Sequence, residues 1–547
     1  MTAYRASQSL YNPENPFTTN LWCIRKVGTT EDVKGISYYA VKRKRNPLIV
    51  KTLRNYVTSL DVRSVEYFVE DDYFSKFYVA RNFFFPDSLL QQATKDKWFL
   101  GGSDLPHEYG EYIDDFWRRY VSSDYRVLSP DEVGCPKHDA SAGIVLLQHD
   151  GEATWDYCKK GPVWNRIQEG TLLWLELVRE AVPDTWLNKS VEGLLGATNY
   201  ALEELSIERP VIRRESGPGK VRWARSSGAN KYILGRMFIE RVQSGVYSRS
   251  PEYIGKASNT ILGANKAIRG DDWYIGTHGD DWIAWCPKCG RWHSGDWGNW
   301  DLHQSAKAIL RSYEGLRKAI LPYLTRRALK EFYGLAYLAV RTPTIWLWNR
   351  AGNPRMSVRR TLGKVRSGDG DFVPHNNAEN YSGLSYLLRK VHALLTKKGR
   401  KYPCRSRYFW PTFSDLAKRT FGWRAKPSAQ FSHPHGFIAC RCIHNGARGF
   451  YPSPCVASVV RNWVNPAYDP EEWPNNSRWR MAMRFRDINK TMAWAPGIGN
   501  TIMDMLADVA ISGGVPDPFG LDMSDADLSR ADALVTDLYS TRAYLEQ

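Results

Sequence analysis

Three aspartates, Asp280, Asp281 and Asp296, fall within one aromatic-rich stretch, residues 273–300, which reads WYIGTHGDDWIAWCPKCGRWHSGDWGNW. Apolar runs broken by Gly and Asp mark short strands joined by tight turns. The spacing predicts strands over 273–275, 281–286 and 291–296, with turns over 276–280 and 287–290. A reversal centred between Lys288 and Cys289 sets Cys286 opposite Arg291, Trp285 opposite Trp292 and Asp281 opposite Asp296. The three carboxylates then meet at one end of a small antiparallel sheet, where opposed positions lie about 5 Å apart. Acids crowded so closely repel one another unless cations lie between them. Two Mg2+ or Mn2+ ions suit the set, because Mg2+ combines a few carboxylates with substrate phosphate oxygens. A pair of ions about 4 Å apart clamps the attacking and leaving oxygens of an in-line phosphoryl transfer. The plain alternative is an ordinary Gly-Asp-Asp hairpin turn. A second copy, Gly270-Asp271-Asp272-Trp273, follows Lys266-Ala267-Ile268-Arg269 rather than an apolar strand. It has no third strand to supply an opposing carboxylate, so the chemistry is assigned to the copy at Asp280.

Two further stretches carry groups suited to phosphate and ribose. Residues 208–228 contain Arg213, Arg214, Lys220, Arg222 and Arg225 around Gly217-Pro218-Gly219. A basic turn between extended segments directs several cations at a triphosphate, where charge-assisted contacts are strongest; a solvated basic loop is the bland alternative. Ser367-Gly368-Asp369-Gly370-Asp371 precedes a long helical pattern with Pro374 in its opening turn. Such a loop brings a mobile backbone close to a ligand, or is an ordinary helix start.

Cysteine and histidine form two further groups. Cys286-x2-Cys289 lies near His293, and His433, His435, Cys440 and Cys442 form a second cluster. A tetrahedral structural zinc site takes four ligands. The first group lacks an evident fourth, and its thiols sit about 17 Å from the carboxylates along five residues of strand. The sequence therefore leaves structural zinc the less favoured reading of both groups.

The elements that must position these residues belong to a large mixed chain. It has 547 residues, enough for several subdomains, with 43% hydrophobic and 24% charged residues, the proportions of a globular protein. The net charge of +17 points to a polyanionic partner, and 22 Trp with 30 Tyr supply surfaces on which bases can stack. No stretch has the apolar length of a membrane span, and residues 1–17 lack a signal-peptide core. Nine Cys at irregular spacing suggest reduced thiols in a cytosol-like compartment. Strand-like runs at 48–50, 67–69 and 144–148 alternate with helical patterns at 170–181 and 190–205. Residues 229–268 read as mostly helical, 304–320 as a helix packing under the sheet, 344–349 and 355–361 as a basic hairpin, and 413–421 as another helix.

The residues also carry a family resemblance. Gly279-Asp280-Asp281 after a short apolar strand resembles motif C of viral RNA-dependent RNA polymerases, and Asp296-x4-Asp301 resembles their motif A. Arg213-x-Glu215 followed by Lys220-x-Arg222 resembles motif F, which lines the nucleotide entry channel. Ser367-Gly368 with Asn376 nine positions on resembles motif B, although Phe372 stands where the family usually has Thr. The competing Ser382-Gly383 has Val391 at that spacing. Lys426 falls where motif D carries a lysine that protonates the leaving pyrophosphate, and residues 437–443 resemble motif E. Motif C precedes motif A here, as in the permuted palms of birnaviruses and permutotetraviruses, and Gly-Asp-Asp leans towards the latter. The resemblance spans roughly residues 208–443. It implies an α+β right-hand polymerase with fingers, palm and thumb, whose permuted antiparallel palm sheet is backed by helices. Residues 1–205 would be an N-terminal extension and part of the fingers, 206–270 fingers with the basic entry loop, 271–445 palm, and 446–547 thumb, where basic residues 478–486 would meet the duplex.

By the same resemblance, Asp280 and Asp296 hold two divalent ions with Asp281 in support. Arg214, Lys220 and Arg222 contact the triphosphate. Asp301, Ser367, Gly368 and Asn376 line the ribose site, where groups that bind a 2′-OH reject a sugar lacking it. The implied partners are RNA template, nascent RNA, NTPs and other viral replication or capsid proteins, and the implied compartments are the host cytoplasm and the virion. Two other classes stay open: a metal-dependent nuclease, which needs the carboxylates but not Asp301 or the Ser367 loop, and a non-catalytic basic RNA-binding or capsid-associated protein with a zinc knuckle, which would tolerate loss of every Asp.

Overall fold

The computed structural model describes residues 38–42, 76–80, 85–86, 104–136, 140–212, 223–249, 272–278, 281–298, 300–350, 353–363, 368–425, 437–439, 442–445 and 451–454. Among these, small two- and three-stranded sheets accompany a set of long helices. Strands β1 (Tyr38–Lys42) and β2 (Lys76–Ala80) pair with each other, and β3 (Phe85–Pro86) lies parallel to a later hairpin. Helix α1 (His107–Tyr120) is followed by the hairpin β4 (Ser141–His149) and β5 (Glu152–Lys159), then by α2 (Trp164–Ala181). The helix expected over 190–205 is instead a 3-10 segment, Val191–Gly196, and a single helical turn, Tyr200–Glu204. Asn199 interrupts it: its side chain caps the second piece by accepting from the Leu202 amide.

Strands β6 (Arg209–Ile212) and β7 (Trp223–Ser226) pair antiparallel, and residues 213–222 between them lie outside the described residues. Helix α3 (Ala229–Arg249) follows. The central sheet comprises β8 (Tyr274–His278), β9 (Asp281–Cys286) and β10 (Arg291–Asp296) in the order β10-β9-β8. Next come the single turn α4 (Trp300–His303), α5 (Ala306–Ile320) and α6 (Arg326–Val340). Ser305 and Thr325 cap the last two by accepting from the amides of Ala308 and Ala328. The expected basic hairpin is present and longer than its sequence pattern, as β11 (Arg341–Arg350) and β12 (Asn353–Leu362). Helix α7 (Phe372–Lys397) and helix α8 (Phe409–Phe421) complete the helical layer, and β13 (Phe437–Ala439), β14 (Cys442–Asn445) and β15 (Tyr451–Pro454) form a last sheet. No helix among the described residues is long and apolar enough to cross a membrane.

The central sheet is sided. Strand residues alternate between faces, and Ile275, Trp282, Ala284 and Cys286 all join the main core cluster. Against this face lies α8, with Trp282 5.6 Å from Phe413 and His293 stacked on Phe409 at 4.5 Å between ring centroids. Helix α7 packs beside β8, where Thr277 donates to Asn377 at 3.3 Å. Trp423 enters a notch on α7 made by Gly383. A Cβ at residue 383 would stand 2.2 Å from its indole, so the second Ser-Gly pair is a packing feature inside a helix.

Candidate active site

The register of the central sheet is the one the turn spacing predicts. Cys286 pairs with Arg291, Trp285 with Trp292, and Asp281 with Asp296. The first strand differs at both ends, starting at Tyr274 rather than residue 273. Strand β8 runs on to His278, which pairs with Asp281, so only residues 279 and 280 separate β8 from β9. Glycine and Thr277 do not end the strand, because Thr277 gains a buried hydrogen bond to α7 there.

Asp281 and Asp296 are therefore a directly opposed pair at the end of β9 and β10. Their positions lie on the face opposite Trp282 and Gly295, away from the aromatic core. Asp280 lies outside the described residues. Asp296 is half-buried, and so is Asp301 one turn further on. The segment between them is held by two tryptophans. Trp297 donates to Asn380 of α7 at 2.9 Å, and Trp300 packs on Trp423 at 4.5 Å. The anchors fix the path of the chain while leaving both aspartates partly accessible. The competing copy sits elsewhere: Asp272 is exposed before β8, at the end of that strand away from His278, and pairs with Arg389 at 2.7 Å. Asp271 lies outside the described residues.

A bridge joins Trp297 to Ala425, and the Gly298 amide donates to the Arg424 carbonyl at 2.7 Å. The chain just ahead of Lys426 thus runs beside the exit of the aspartate strand. Lys426 itself lies outside the described residues, as do Arg214, Lys220, Arg222 and Ser367, and so do His433, His435 and Cys440 of the second Cys/His group. In the segment resembling motif E, the described residues of β13 and β14 pair antiparallel.

The described part of the loop ahead of α7, residues 368–371, is held by buried contacts. Gly368 is half-buried in a turn. Asp369 pairs with Lys231 at 3.2 Å and also bonds Ser227; Lys231 in turn pairs with Glu208 at 3.1 Å. Lys231 and Glu208 are almost wholly buried. This network ties the base of the β6–β7 hairpin, the start of α3 and the loop before α7 into one unit. A Cβ on Gly370 would stand 2.3 Å from the Tyr232 carbonyl, so only glycine lets the loop lie against α3. Asp371 bonds Tyr313, and burial raises the pKa of its carboxyl. His375 stacks on Tyr313 at 4.0 Å, bonds Ser312 at 2.8 Å, and is pushed down to about 3 by burial. Asn376, buried in the first turns of α7, has an Oδ1 that finds no hydrogen-bond donor among the described residues. Such an orphaned acceptor fits a ligand hydroxyl or a water.

Sequence reasoning missed this network because Asp369 lies 138 residues from Lys231, with no spacing that links them. It also missed part of a second cluster. Cys286 and Cys289 meet His392 of α7 and Cys404, not His293. His293 is fully buried against Phe409, and burial pushes it down to about 3.

No protein-family model matches the sequence, and no curated protein matches it. Solved structures do match the fold. The RNA-dependent RNA polymerase of a human picorbirnavirus superposes with a TM-score of 0.57 at 10% identity, covering 94% of this chain and 96% of that one. The birnavirus VP1–VP3 complex gives 0.53 at 12% identity, over 86% and 68% of the two chains. The RNA polymerase VP1 from Infectious Pancreatic Necrosis Virus gives 0.52 at 11% identity, over 92% and 80%. The chain has the fold of these viral polymerases, a mixture of helices and small antiparallel sheets.

Proposed function

We propose that the chain is a viral RNA-dependent RNA polymerase with a permuted palm, motif C lying ahead of motif A. The observation that carries this reading is the opposed pair Asp281 and Asp296 at the end of a sheet whose other face is packed by helices. The fold likeness to viral polymerases agrees with it. Residues 206–270 would then serve as fingers, 271–445 as palm and 446–547 as thumb, with 1–205 an N-terminal extension that joins the fingers.

In this reading the growing RNA 3′-hydroxyl attacks the α-phosphate of an incoming NTP and pyrophosphate leaves. Hard carboxylate oxygens suit Mg2+ or Mn2+, and Asp280 and Asp296, with Asp281 in support, would hold them. Such ions, when bound, neutralise charge on the attacking and leaving oxygens. Arg214, Lys220 and Arg222 bind the triphosphate. Asp301, Ser367 and Asn376 bind the ribose 2′-OH, the last through its orphaned carbonyl, while Gly368 shapes the loop beside it. Lys426 donates a proton to pyrophosphate, a role that asks for a pKa drawn towards neutrality. The partners are template and product RNA. One of the similar structures is a birnavirus VP1–VP3 complex, and a viral protein partner is proposed here by analogy.

The test is incorporation of labelled NTPs on a primed RNA template with Mg2+ or Mn2+, comparing wild type with Asp280→Ala, Asp296→Ala and Asp272→Ala. Loss in the first two with retention in the third is the expected result. RNA binding without extension by the wild type, on primed and primer-free templates and with both metals, would move the non-catalytic RNA-binding reading ahead.

A further inference from the structure

We propose that Cys286, Cys289, His392 and Cys404 form a structural zinc site, independent of the polymerase reading. Their ligand atoms all lie within 4.8 Å of one another. Four donors on a tetrahedral Zn2+, with Zn–S near 2.3 Å, stand roughly 3.8 Å apart, so the side chains are already close to that arrangement. The Cys289 sulfur lies 3.6 Å from His392 Nε2. All three cysteines are buried and His392 is partly so.

The cluster is assembled from three places. The β9–β10 turn supplies Cys286 and Cys289, and Gly290 completes it with φ +58, a backbone conformation that glycine adopts without strain. Amides of Lys288 and Cys289 in that turn donate to the Cys286 sulfur, the outer contacts that orient a metal-bound thiolate. Helix α7 supplies His392, whose ring also meets Trp273 edge-on at 6.0 Å. The 3-10 turn Pro403–Arg405, between α7 and α8, supplies Cys404. Three sulfurs and one nitrogen, with no open position, are a donor set for structural zinc rather than a catalytic centre. A disulfide would use two of the thiols and strand the third beside the histidine. Zinc uses all four groups, and on binding it displaces the three thiol protons to solvent, leaving a site of net charge −1.

The position gives the site its task. It lies at the turn end of the hairpin, about 17 Å of strand from Asp281 and Asp296. There it clasps the hairpin to α7, the helix that also carries Asn376, and to the entry of α8, which packs the sheet's core face. The clasp sets the angle between the carboxylate strands and α7 without touching either carboxylate.

The test is the metal content, by mass spectrometry, of the full chain purified from zinc-supplemented medium, for wild type, Cys404→Ser, His392→Ala and His293→Ala. About one zinc per chain is expected in wild type and His293→Ala, with loss in the other two. Cobalt exchanged into the wild type should show the intense visible bands of a tetrahedral ion and sulfur-to-cobalt charge transfer, a readout that stands if the variants fail to fold. No bound metal in wild type, zinc retained in Cys404→Ser, or a cobalt spectrum without thiolate bands would each overturn the site.

Discussion

Replacing Lys231 by Met removes a cation that pairs with both Glu208 and Asp369 while keeping the length of the side chain. Lys231 is 1% exposed in its side chain, Glu208 0% and Asp369 9%, so water screens none of the three appreciably. Breaking a buried ion pair from one side costs about 3–5 kcal/mol, because a charge is left uncompensated in a poor solvent. The folded fraction relative to unfolded should fall by roughly 10²- to 10³-fold or more. The sign of the pH dependence follows. Burial disfavours the charged form of a carboxyl that has lost a cation, so the cost of the substitution grows as pH rises and the carboxyl must ionise. The deficit is therefore smaller at pH 5 than at pH 8. The assay is the first urea transition followed by tryptophan fluorescence at both pH values, for wild type, Lys231→Met, and Lys231→Met combined with Glu208→Gln. The double variant should recover part of the loss, since residues in one network are not additive. A deficit under about 1 kcal/mol, or one equal at both pH values and unaffected by Glu208→Gln, would refute the argument.

Other expectations follow from the same contacts. Gly383→Ala puts a methyl against the Trp423 indole and should cost about 1–3 kcal/mol, the range for overpacking, read as a shift in thermal unfolding. Glu379 is wholly buried and burial pushes its carboxyl up to about 8. The folded pKa is raised, so wild type loses stability as pH climbs from near 5 to near 8; Glu379→Gln should gain on it over that window, and parallel pH curves would count against the assignment. Asp296→Ala should lower nucleotide incorporation by at least about 10²–10³-fold, the cost of losing one preorganised electrostatic contact, while RNA affinity in a filter-binding assay stays within a few-fold.

Legibility in the sequence followed chain separation. The central sheet was readable down to its pairings because the turn at residues 287–290 is local and sets the register of everything beside it. The β6–β7 and β11–β12 hairpins were readable for the same reason. The helix over 190–205 was misread: its apolar spacing is helical, but Asn199 prefers to cap. Helix α8 begins at Phe409, four residues ahead of its expected start, because aromatic packing against His293 and Trp282 extends it. The cysteine pair was visible but its completion was not. His392 and Cys404 lie over a hundred residues on, with no spacing that links them to Cys286. The buried Lys231 network was equally hidden, since a lysine in a helix reads as surface.

The central sheet also has a bearing on how the chain is made. All three strands lie between Tyr274 and Asp296, so the meander closes through contacts of low sequence separation and can form while synthesis continues. The turn then presents two cysteines early, but Cys404 is about 120 residues later and emerges roughly 6–24 s afterwards at ordinary elongation rates. During that interval the hairpin's core face, with Trp282 and Cys286, awaits α7 and α8. The nascent chain is most vulnerable to aggregation and thiol oxidation at this stage, and slowed translation between residues 290 and 404 should lower the yield of folded protein.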